Sequence, residues 1–337
     1  MAGFDLAVVV PAYNAAATLP ATLAGLAGQT YDAGRVAVVV VDDGSTDETA
    51  SVAAAWGATV IRQRNRGPAA ARNAGAAAAP GEILVFTDAD CRPDPDFLAA
   101  ITAPLAADTG VAGVQGAYRT DQASLVARFA QVEFEDRYRF AARFACLDLV
   151  ATYAAAYRRE VFEAAGGFDG AFTKADNEDT ELSYRLCRLG HRLVFAPNAR
   201  VAHRHPATLW RYLRTKAGRA YWRFAACRQH PEKLLRDGYT PPTARVQTAL
   251  AGLLAAGLAL WPFSSAAGWL ALSCGLGILA SSLPFARFAA GRDPAVAWVA
   301  PPLVLGRSLA FAAGAGLAVA ARLAEGVRTR RGRGGRP

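Results

Sequence analysis

The amino-acid sequence predicts a doubly wound α/β domain with a mostly parallel sheet, followed by a C-terminal helical transmembrane region. Three short runs near the N-terminus, 6–10, 36–41 and 82–86, are apolar on both faces. This pattern is typical of strands that are buried in a parallel sheet. Alanine-rich stretches with helical character, 18–28 and 47–56, lie between the runs. The alternation of strand and helix predicts the doubly wound sheet.

The second half of the first domain carries weaker signals. Residues 124–165 are interpreted as helical, because they are rich in aromatic and charged residues. Residues 178–189 predict a further helix, with Asp176 or Asn177 as its N-cap. A strand is expected at 193–196.

The C-terminal part of the chain differs in composition from the rest. Of the 337 residues, 53% are hydrophobic and only 19% are charged, which is more apolar than an ordinary soluble domain. The excess lies in residues 245–325, where Asp, Glu and Lys are almost absent. We therefore predict three regions: a first domain at 1–240, a transmembrane region at 241–325 and a basic tail at 326–337.

Apolar runs at 246–261 and 264–283 are predicted to be two membrane spans, because about 20 residues of helix cross a bilayer. A third run, 294–321, contains a Pro-Pro pair and Arg307. Three full spans would place the Arg-rich tail outside, against the tendency of positive charge to stay inside. We expect a bent span or a re-entrant hairpin there. The N-terminus shows no targeting leader, so we expect a multi-pass cell-membrane protein with a cytoplasmic first domain.

Much of the net charge of +9 comes from two basic stretches of the sequence. Basic stretches at 204–236 and in the tail flank the apolar runs, which favours anionic lipid over nucleic acid as the partner. A segment at about 207–226 mixes Arg and Lys with aromatic residues and predicts an interfacial helix. An ordinary packed helix is the alternative. The five cysteines form no CxxC pair, so neither a disulfide framework nor a zinc site is expected.

Polar motifs follow three of the predicted strands: PAYN (11–14), DDGS (42–45) and DAD (88–90). Ligands of open α/β sheets bind outside the carboxyl ends of the strands, so we expect the three motifs to meet at one edge. Asp88 and Asp90 are one residue apart and can share Mg2+ or Mn2+ through their oxygens. The alternative is a solvated acidic turn.

The DDGSTD segment (42–47) has two interpretations. A carboxylate at a strand end can accept hydrogen bonds from a nucleobase or a ribose. Ser45 or Asp47 can equally cap the helix that follows. We expect Asp43 to contact the nucleotide and one of the other two to cap.

Together these motifs resemble those of the family 2 glycosyltransferases. The resemblance rests on four segments, and it covers roughly residues 5–205: VVVPAYN (8–14), VVVDDGSTD (39–47), NRGPAAARNAG (65–75) and FTDAD (86–90). It implies a GT-A fold and the inverting transfer of a sugar from a nucleoside-diphosphate donor to a hydroxyl acceptor. The membrane region suggests that the acceptor is a lipid or a lipid-linked glycan.

The resemblance also implies roles for individual residues. The nucleotide-sugar would be bound by Pro11, Tyr13, Asn14, Asp43, Arg72 and Asp88. The metal would be held by Asp88, Asp90 and His203, with His205 as the alternative to His203. Asp179, in the acidic motif after the GGFD turn, would be the general base that deprotonates the acceptor.

Structural alternatives exist for two of these residues. Arg72 could instead pair with Asp42 or Asp43. Asp179 could merely stabilise a helix N-terminus through the macrodipole.

The sequence departs from the family pattern in two places, which limits the family properties that can be expected of this chain. Tyr153 stands where many relatives have Asn, so the acceptor cannot be identified by analogy. The QxxRW motif of processive synthases is absent, which favours transfer of a single sugar. A nucleotidyltransferase and a non-catalytic nucleotide-binding membrane scaffold are the alternative functions.

Overall fold

The computed structural model describes residues 5–172, 178–226 and 240–333. The chain forms two compact units. The first comprises Met1–Gln122 and Arg137–His205, and the second comprises Ala123–Asp136 and Pro206–Pro337. The helix predicted at about 207–226 therefore belongs with the apolar helices, and the first unit ends at His205 rather than at 240.

The first unit contains an eight-stranded sheet with helices packed against it. The strands are β1 (Leu6–Ala12), β2 (Val36–Asp42), β3 (Thr59–Arg62), β4 (Ile83–Thr87), β5 (Cys91–Pro93), β6 (Val111–Arg119), β7 (Ala154–Arg158) and β8 (Arg192–His203). Their order in the sheet is β3-β2-β1-β4-β7-β6-β8-β5. The helices that lie wholly in this unit are α1 (Leu19–Ala27), α2 (Thr49–Ala55), α3 (Pro68–Ala78), α4 (Phe97–Ala107), α6 (Arg159–Ala164) and α7 (Glu178–Arg188).

The parallel half of the sheet confirms the expected alternation. β1 pairs in parallel with β2 and β4, and β2 pairs in parallel with β3. The side chains of β1, of β4 and of the second half of β2 are almost completely buried, as strands covered on both faces require. The register places Ala12 opposite Asp42, so the polar motifs after β1 and β2 emerge side by side.

Gly75 of α3 explains how closely this helix packs on the sheet. A Cβ atom at that position would lie 2.4 Å from Cγ1 of Val9 and 2.9 Å from Cγ2 of Val41. The bare backbone of α3 therefore rests directly on β1 and β2. Burial of these aliphatic residues supplies the main driving force for folding.

The other half of the sheet is mixed. β7 runs antiparallel to β4 and β6, whereas β6 and β8 are parallel. The helical interpretation of 124–165 was therefore wrong in its second part, where β7 lies at the centre of the sheet. Its sequence, AAAYR, contains no β-branched residue, so the strand is specified by burial between its neighbours.

The predictions of a helix at 178–189 and of a strand at 193–196 agree with the structure. α7 begins at Glu178 and ends at Arg188, close to the expected 178–189. The N-cap prediction, Asp176 or Asn177, lies outside the described residues. The strand expected at 193–196 is the start of the longer β8.

The second unit is helical. It contains α8 (Leu209–Ala226), α9 (Pro242–Leu260), α10 (Ser265–Ala290), α11 (Pro294–Arg333) and the part of α5 (Leu125–Ala141) up to Asp136. Three helical segments are long and apolar enough to cross a membrane: Pro242–Phe263, Ser265–Ala290 and Pro294–Arg322. α11 continues through the Pro-Pro pair as one helix, so no turn of a re-entrant hairpin interrupts it.

A buried carboxylate joins helices of this second unit. Glu133 of α5 accepts a hydrogen bond of 2.6 Å from the Tyr212 hydroxyl. It also forms ion pairs with Lys216 at 2.9 Å and with Arg307 at 2.6 Å. Arg307 in turn donates to Gln247 of α9 at 2.5 Å. The charge in the third apolar run is thus paired inside the protein, as burial of a guanidinium requires.

Candidate active site

The loops after β1 and β2 are joined by direct hydrogen bonds. The backbone N–H of Asn14 donates to the Ser45 hydroxyl at 2.9 Å, and the Asn14 side-chain oxygen accepts from the Thr46 N–H at 2.9 Å. Asn14 has a φ of 49°, a left-handed conformation that Asn tolerates better than most residues. Tyr13 beside it is 52% exposed, and Pro11 is partly buried. The predicted meeting of the motifs after β1 and β2 is confirmed.

Asp43 is engaged within the protein. Its carboxylate is buried and accepts hydrogen bonds from the Gln63 side chain at 2.7 Å and from the N–H groups of Arg66 and Gly67, each at 2.9 Å. It therefore fixes the loop that leads into α3. This geometry supports a structural role for Asp43, and its contact with a nucleotide stays a prediction.

Of Ser45 and Asp47, the two candidates for the cap of α2, Asp47 is the one that bonds to the start of the helix. Asp47 accepts from the N–H of Thr49 at 3.1 Å, in the first turn of α2. Ser45 instead accepts the bond from Asn14 described above. The side chain of Asp47 thus satisfies an N–H at the start of the helix, as a cap does.

Arg72 of α3 connects two acidic motifs. Its guanidinium donates to Glu178 at 2.5 Å and to Asp88 at 2.7 Å, and its side chain is only 4% exposed. Burial opposes the charged form, but Asp88 and Glu178 outweigh it and raise the Arg72 pKa. The suggested pairing with Asp42 or Asp43 is not what the structure has.

Asp179 lies beside this ion pair and is partly buried. Its Oδ1 accepts from the Thr180 N–H at 2.7 Å, and its Oδ2 accepts from the Thr152 N–H at 3.4 Å. Burial and the adjacent charge of Glu178 raise the pKa of Asp179 to about 6. A carboxylate whose pKa approaches neutrality is suited to accept a proton at physiological pH.

Asp90 and His203 come together at the end of the sheet. The Oδ1 atom of Asp90 and the Nδ1 atom of His203 are 3.6 Å apart. Burial alone would raise the Asp90 pKa, but the hydrogen bond and charge of His203 outweigh it and lower the pKa. His205 is buried and holds Gln122 through its backbone. Of the two histidines, His203 is the one that approaches Asp90.

The donor set at Asp90 and His203 fits a divalent cation, because carboxylate oxygen and imidazole nitrogen are both common ligands of such ions. Cys91 adds a sulfur atom to the group. Asp88 is not one of these three residues, and one of its oxygens bonds to Arg72. The predicted metal ligands are therefore only partly brought together.

A stack of aromatic rings lies against His203. The Tyr118 ring stacks on the His203 ring at a centroid distance of 4.5 Å and, on its other side, on Tyr153 at 3.5 Å. The Tyr153 hydroxyl is 2.7 Å from that of Tyr138. Tyr153, which stands where Asn was expected, is thus buried in a packed cluster. The backbone N–H of Thr152, its neighbour, contacts Asp179.

Sequence reasoning missed three residues of this site. Glu178, the buried partner of Arg72, was not among the predicted site residues. Cys91 directly follows the DAD motif, a position that could have drawn attention to it. Tyr118 carried no signal in the sequence, because its contact with His203 depends on the pairing of β6 with β8.

Comparison with known proteins agrees with this geometry. The sequence profile described as "Glycosyl transferase family 2" matches residues 7–166. An uncharacterized glycosyltransferase of Mycobacterium tuberculosis is 35% identical over 198 residues, which are 58% of this chain and 84% of that protein. The chain belongs to glycosyl transferase family 2. Its fold is of the GT-A type.

Two further relatives are matched over only about half of their own length. The pre-mycofactocin glycosyltransferase of Mycobacterium tuberculosis is 30% identical over 240 residues, covering 68% of this chain and 49% of that protein. A probable glycosyltransferase of Bacillus subtilis is 28% identical over 235 residues, covering 64% of this chain and 54% of that protein. The chain thus spans about half the length of these relatives.

Among solved structures, the mannosyltransferase PcManGT from Pyrobaculum calidifontis is similar over almost the whole chain. The similarity covers 93% of this chain and 86% of that protein, with a TM-score of 0.59 and 25% sequence identity. That structure is a complex with GDP-Man and Mn2+.

Proposed function

We propose that this family 2 enzyme transfers a single sugar, with inversion, from a nucleoside-diphosphate sugar to a hydroxyl acceptor at a membrane. The observation that carries the proposal is the double contact of Arg72. Its guanidinium joins Asp88, in the DAD motif, to Glu178, which is adjacent to Asp179. The acids proposed for the donor and the acid proposed for the acceptor therefore belong to one site.

Asp179 is the proposed general base. Unlike Glu178, it forms no ion pair with Arg72, and its raised pKa makes it a competent proton acceptor. The acceptor hydroxyl gives its proton to Asp179 while its oxygen forms a bond to the anomeric carbon. The bond from that carbon to the diphosphate breaks, and the nucleoside diphosphate leaves from the opposite face.

Asp90 and His203 are the proposed ligands of a divalent cation, Mn2+ or Mg2+, and the free oxygen of Asp88 is available to the ribose or the metal. A bound cation would neutralise the negative charge that develops on the departing diphosphate. The Mn2+ in the PcManGT complex supports this assignment. Pro11, Tyr13, Asn14 and Asp43 are proposed to face the nucleotide.

The acceptor is proposed to be a lipid or a lipid-linked glycan. Large apolar side chains on the helices of the second unit are exposed, among them Phe263 at 85% and Trp298 at 86%. Exposed apolar surface of this kind suits contact with lipid. We propose a multi-pass cell-membrane protein with its catalytic unit in the cytoplasm, which gives the site access to acceptors at the membrane surface.

The proposal is tested with the full chain purified in detergent. UDP- and GDP-sugars carrying a labelled sugar are supplied with Mn2+ and a membrane lipid extract. We expect one donor to place its label in a product that partitions into organic solvent. Asp179→Asn should still bind that donor and lose transfer.

Three outcomes would contradict parts of the proposal. Nucleotide binding without hydrolysis or transfer for any donor would indicate a non-catalytic scaffold. Label found only in water-soluble products would remove the lipid acceptor. Retained transfer by Asp179→Asn would exclude this residue as the base.

A further inference from the structure

Three different ligand atoms form an equilateral triangle beside the DAD motif. Oδ1 of Asp90 lies 3.6 Å from Sγ of Cys91, which lies 3.6 Å from Nδ1 of His203, and the Asp90 and His203 atoms are also 3.6 Å apart. The strand pairing fixes two of the three positions. Cys91 and His203 stand directly opposite each other in the antiparallel pair of β5 and β8, so their side chains share one face.

The size of this triangle matches one coordination geometry. A tetrahedral ion bound at the usual distances from S, N and O separates its donor atoms by roughly 3.4 to 3.6 Å. An octahedral ion with right angles between the same ligands would bring them to roughly 2.9 to 3.1 Å. The observed separations therefore fit a tetrahedral ion without rearrangement of the strands.

The exposed side chain of Asp90 gives an ion access to the three ligand atoms from solvent. Asp90 is exposed and His203 is partly exposed, whereas Cys91 is completely buried beneath them. An ion entering from the Asp90 side would meet the oxygen and the nitrogen first and the sulfur behind them.

We propose that Cys91 is a metal ligand, and that the site binds thiophilic divalent cations such as Zn2+ and Co2+ in preference to Mg2+. Sulfur is a soft donor that favours Zn2+, whereas Mg2+ requires oxygen ligands in octahedral geometry. On binding, the Cys91 thiol gives its proton to water and its sulfur bonds to the metal. This inference rests on the proposed metal site at Asp90 and His203 and specifies which ion that site selects.

The alternative is that Cys91 only donates a weak hydrogen bond to Asp90 or His203. Co2+ distinguishes the two, because a thiolate bound to Co2+ gives a charge-transfer absorption in the near ultraviolet, and tetrahedral Co2+ absorbs strongly in the visible. The full chain, stripped of metal with a chelator, is titrated with Co2+ and then with Zn2+ as a competitor. We expect both absorptions, and we expect Zn2+ to remove them and Mg2+ to leave them in place.

Cys91→Ser supplies the decisive comparison. Loss of even an outer-shell partner weakens metal binding about 10- to 100-fold, so the variant should lose the ultraviolet band and bind Zn2+ at least about tenfold more weakly. Cys146→Ser is the matched control, since Cys146 is a free thiol in the same unit, and its spectrum should equal that of the wild type. Melting curves without metal verify that each variant folds. If Cys91→Ser does not fold, Cys91→Ala takes its place.

The outcomes separate this inference from the proposed function. If Asp90→Asn abolishes Co2+ binding while Cys91→Ser leaves the spectrum unchanged, the metal site stands and Cys91 is no ligand. Wild-type protein that binds Co2+ without a thiolate band, or that prefers Mg2+, also overturns the inference. Transfer of labelled sugar is scored independently, so its absence bears on the proposed function and not on the spectrum.

Discussion

Arg72 donates a hydrogen bond of 2.5 Å to Glu178, which lies 106 positions later in the chain. Both side chains are only 4% exposed. The same guanidinium also binds Asp88, so one cation holds together the loop after β4 and the start of α7. The proposed donor site and the proposed base therefore depend on a single side chain for their relative position.

Replacement of Arg72 by Ala is expected to destabilise the first unit. It leaves Glu178 buried without its cation, and the loss of one partner of a buried pair costs about 3–5 kcal/mol of unfolding free energy. Denaturant unfolding in detergent measures the change. The double variant Arg72→Ala/Glu178→Gln should recover part of the loss, because the uncompensated charge is removed. Equal stability of the single and double variants would contradict the pairing.

The rate of transfer is expected to fall at acidic pH. Asp179 must be ionised to take the acceptor proton, and its pKa is raised to about 6. The ionised fraction therefore decreases as pH drops through about 6, and kcat/KM should fall about tenfold per pH unit below it. The measurement is a pH profile with saturation by Mn2+ verified at each point. A midpoint at about 4, the ordinary value for Asp, would show that burial does not perturb the base.

Tyr118 is expected to hold His203 in the orientation that binds metal. Its ring stacks on the imidazole at 4.5 Å and on Tyr153 behind it. Tyr118→Leu removes the flat surface and should weaken Mn2+ binding about tenfold, as the loss of a supporting partner usually does. Tyr118→Phe keeps the ring and should keep the affinity. Mn2+ binding followed by electron paramagnetic resonance gives this result without any assay of transfer, and equal affinities for both variants would exclude a positioning role.

Particular residues show why part of this fold could be predicted and part could not. The runs of Val and Leu in β1, β2 and β4 are visible in the sequence because burial on both faces demands apolar residues. The meeting of PAYN, DDGS and DAD at one edge follows from the parallel order of those strands. The sequence of β7 did not identify it as a strand, because alanine is common in helices. Its position between β4 and β6 in the sheet makes it a strand.

The contacts within the site are harder to predict for a different reason. The structural alternative for Arg72 was a pair with Asp42 or Asp43, yet it pairs with Glu178 from a distant helix. The approach of Cys91 to His203 depends on the register of β5 against β8, to which no sequence motif points. Asp90 was predicted from its spacing to Asp88, whereas Asp179 and His203 were predicted from the resemblance to a family.

Glu133 is expected to be essential for the stability of the second unit. Its side chain is 2% exposed and faces both Lys216 and Arg307. Glu133→Gln preserves the shape of the side chain but removes the negative charge that pairs with two buried cations. Loss of a buried partner of this kind costs about 3–5 kcal/mol, so a large decrease in Tm is expected in detergent.

Glu135→Gln is the matched control, because it is the same substitution two positions away on the same helix. Glu135 pairs with Arg292 at 2.8 Å, but the two side chains are 34% and 46% exposed. Pairs in contact with solvent contribute about 0–1 kcal/mol, so the Tm of this variant should stay close to that of the wild type. If the Tm of both variants equals that of the wild type, Glu133 does not hold the helices of this unit. If the Tm of both variants falls equally, the loss of a negative charge from α5 lowers stability whether or not that charge is buried, and the pairing of Glu133 with Arg307 has no special role.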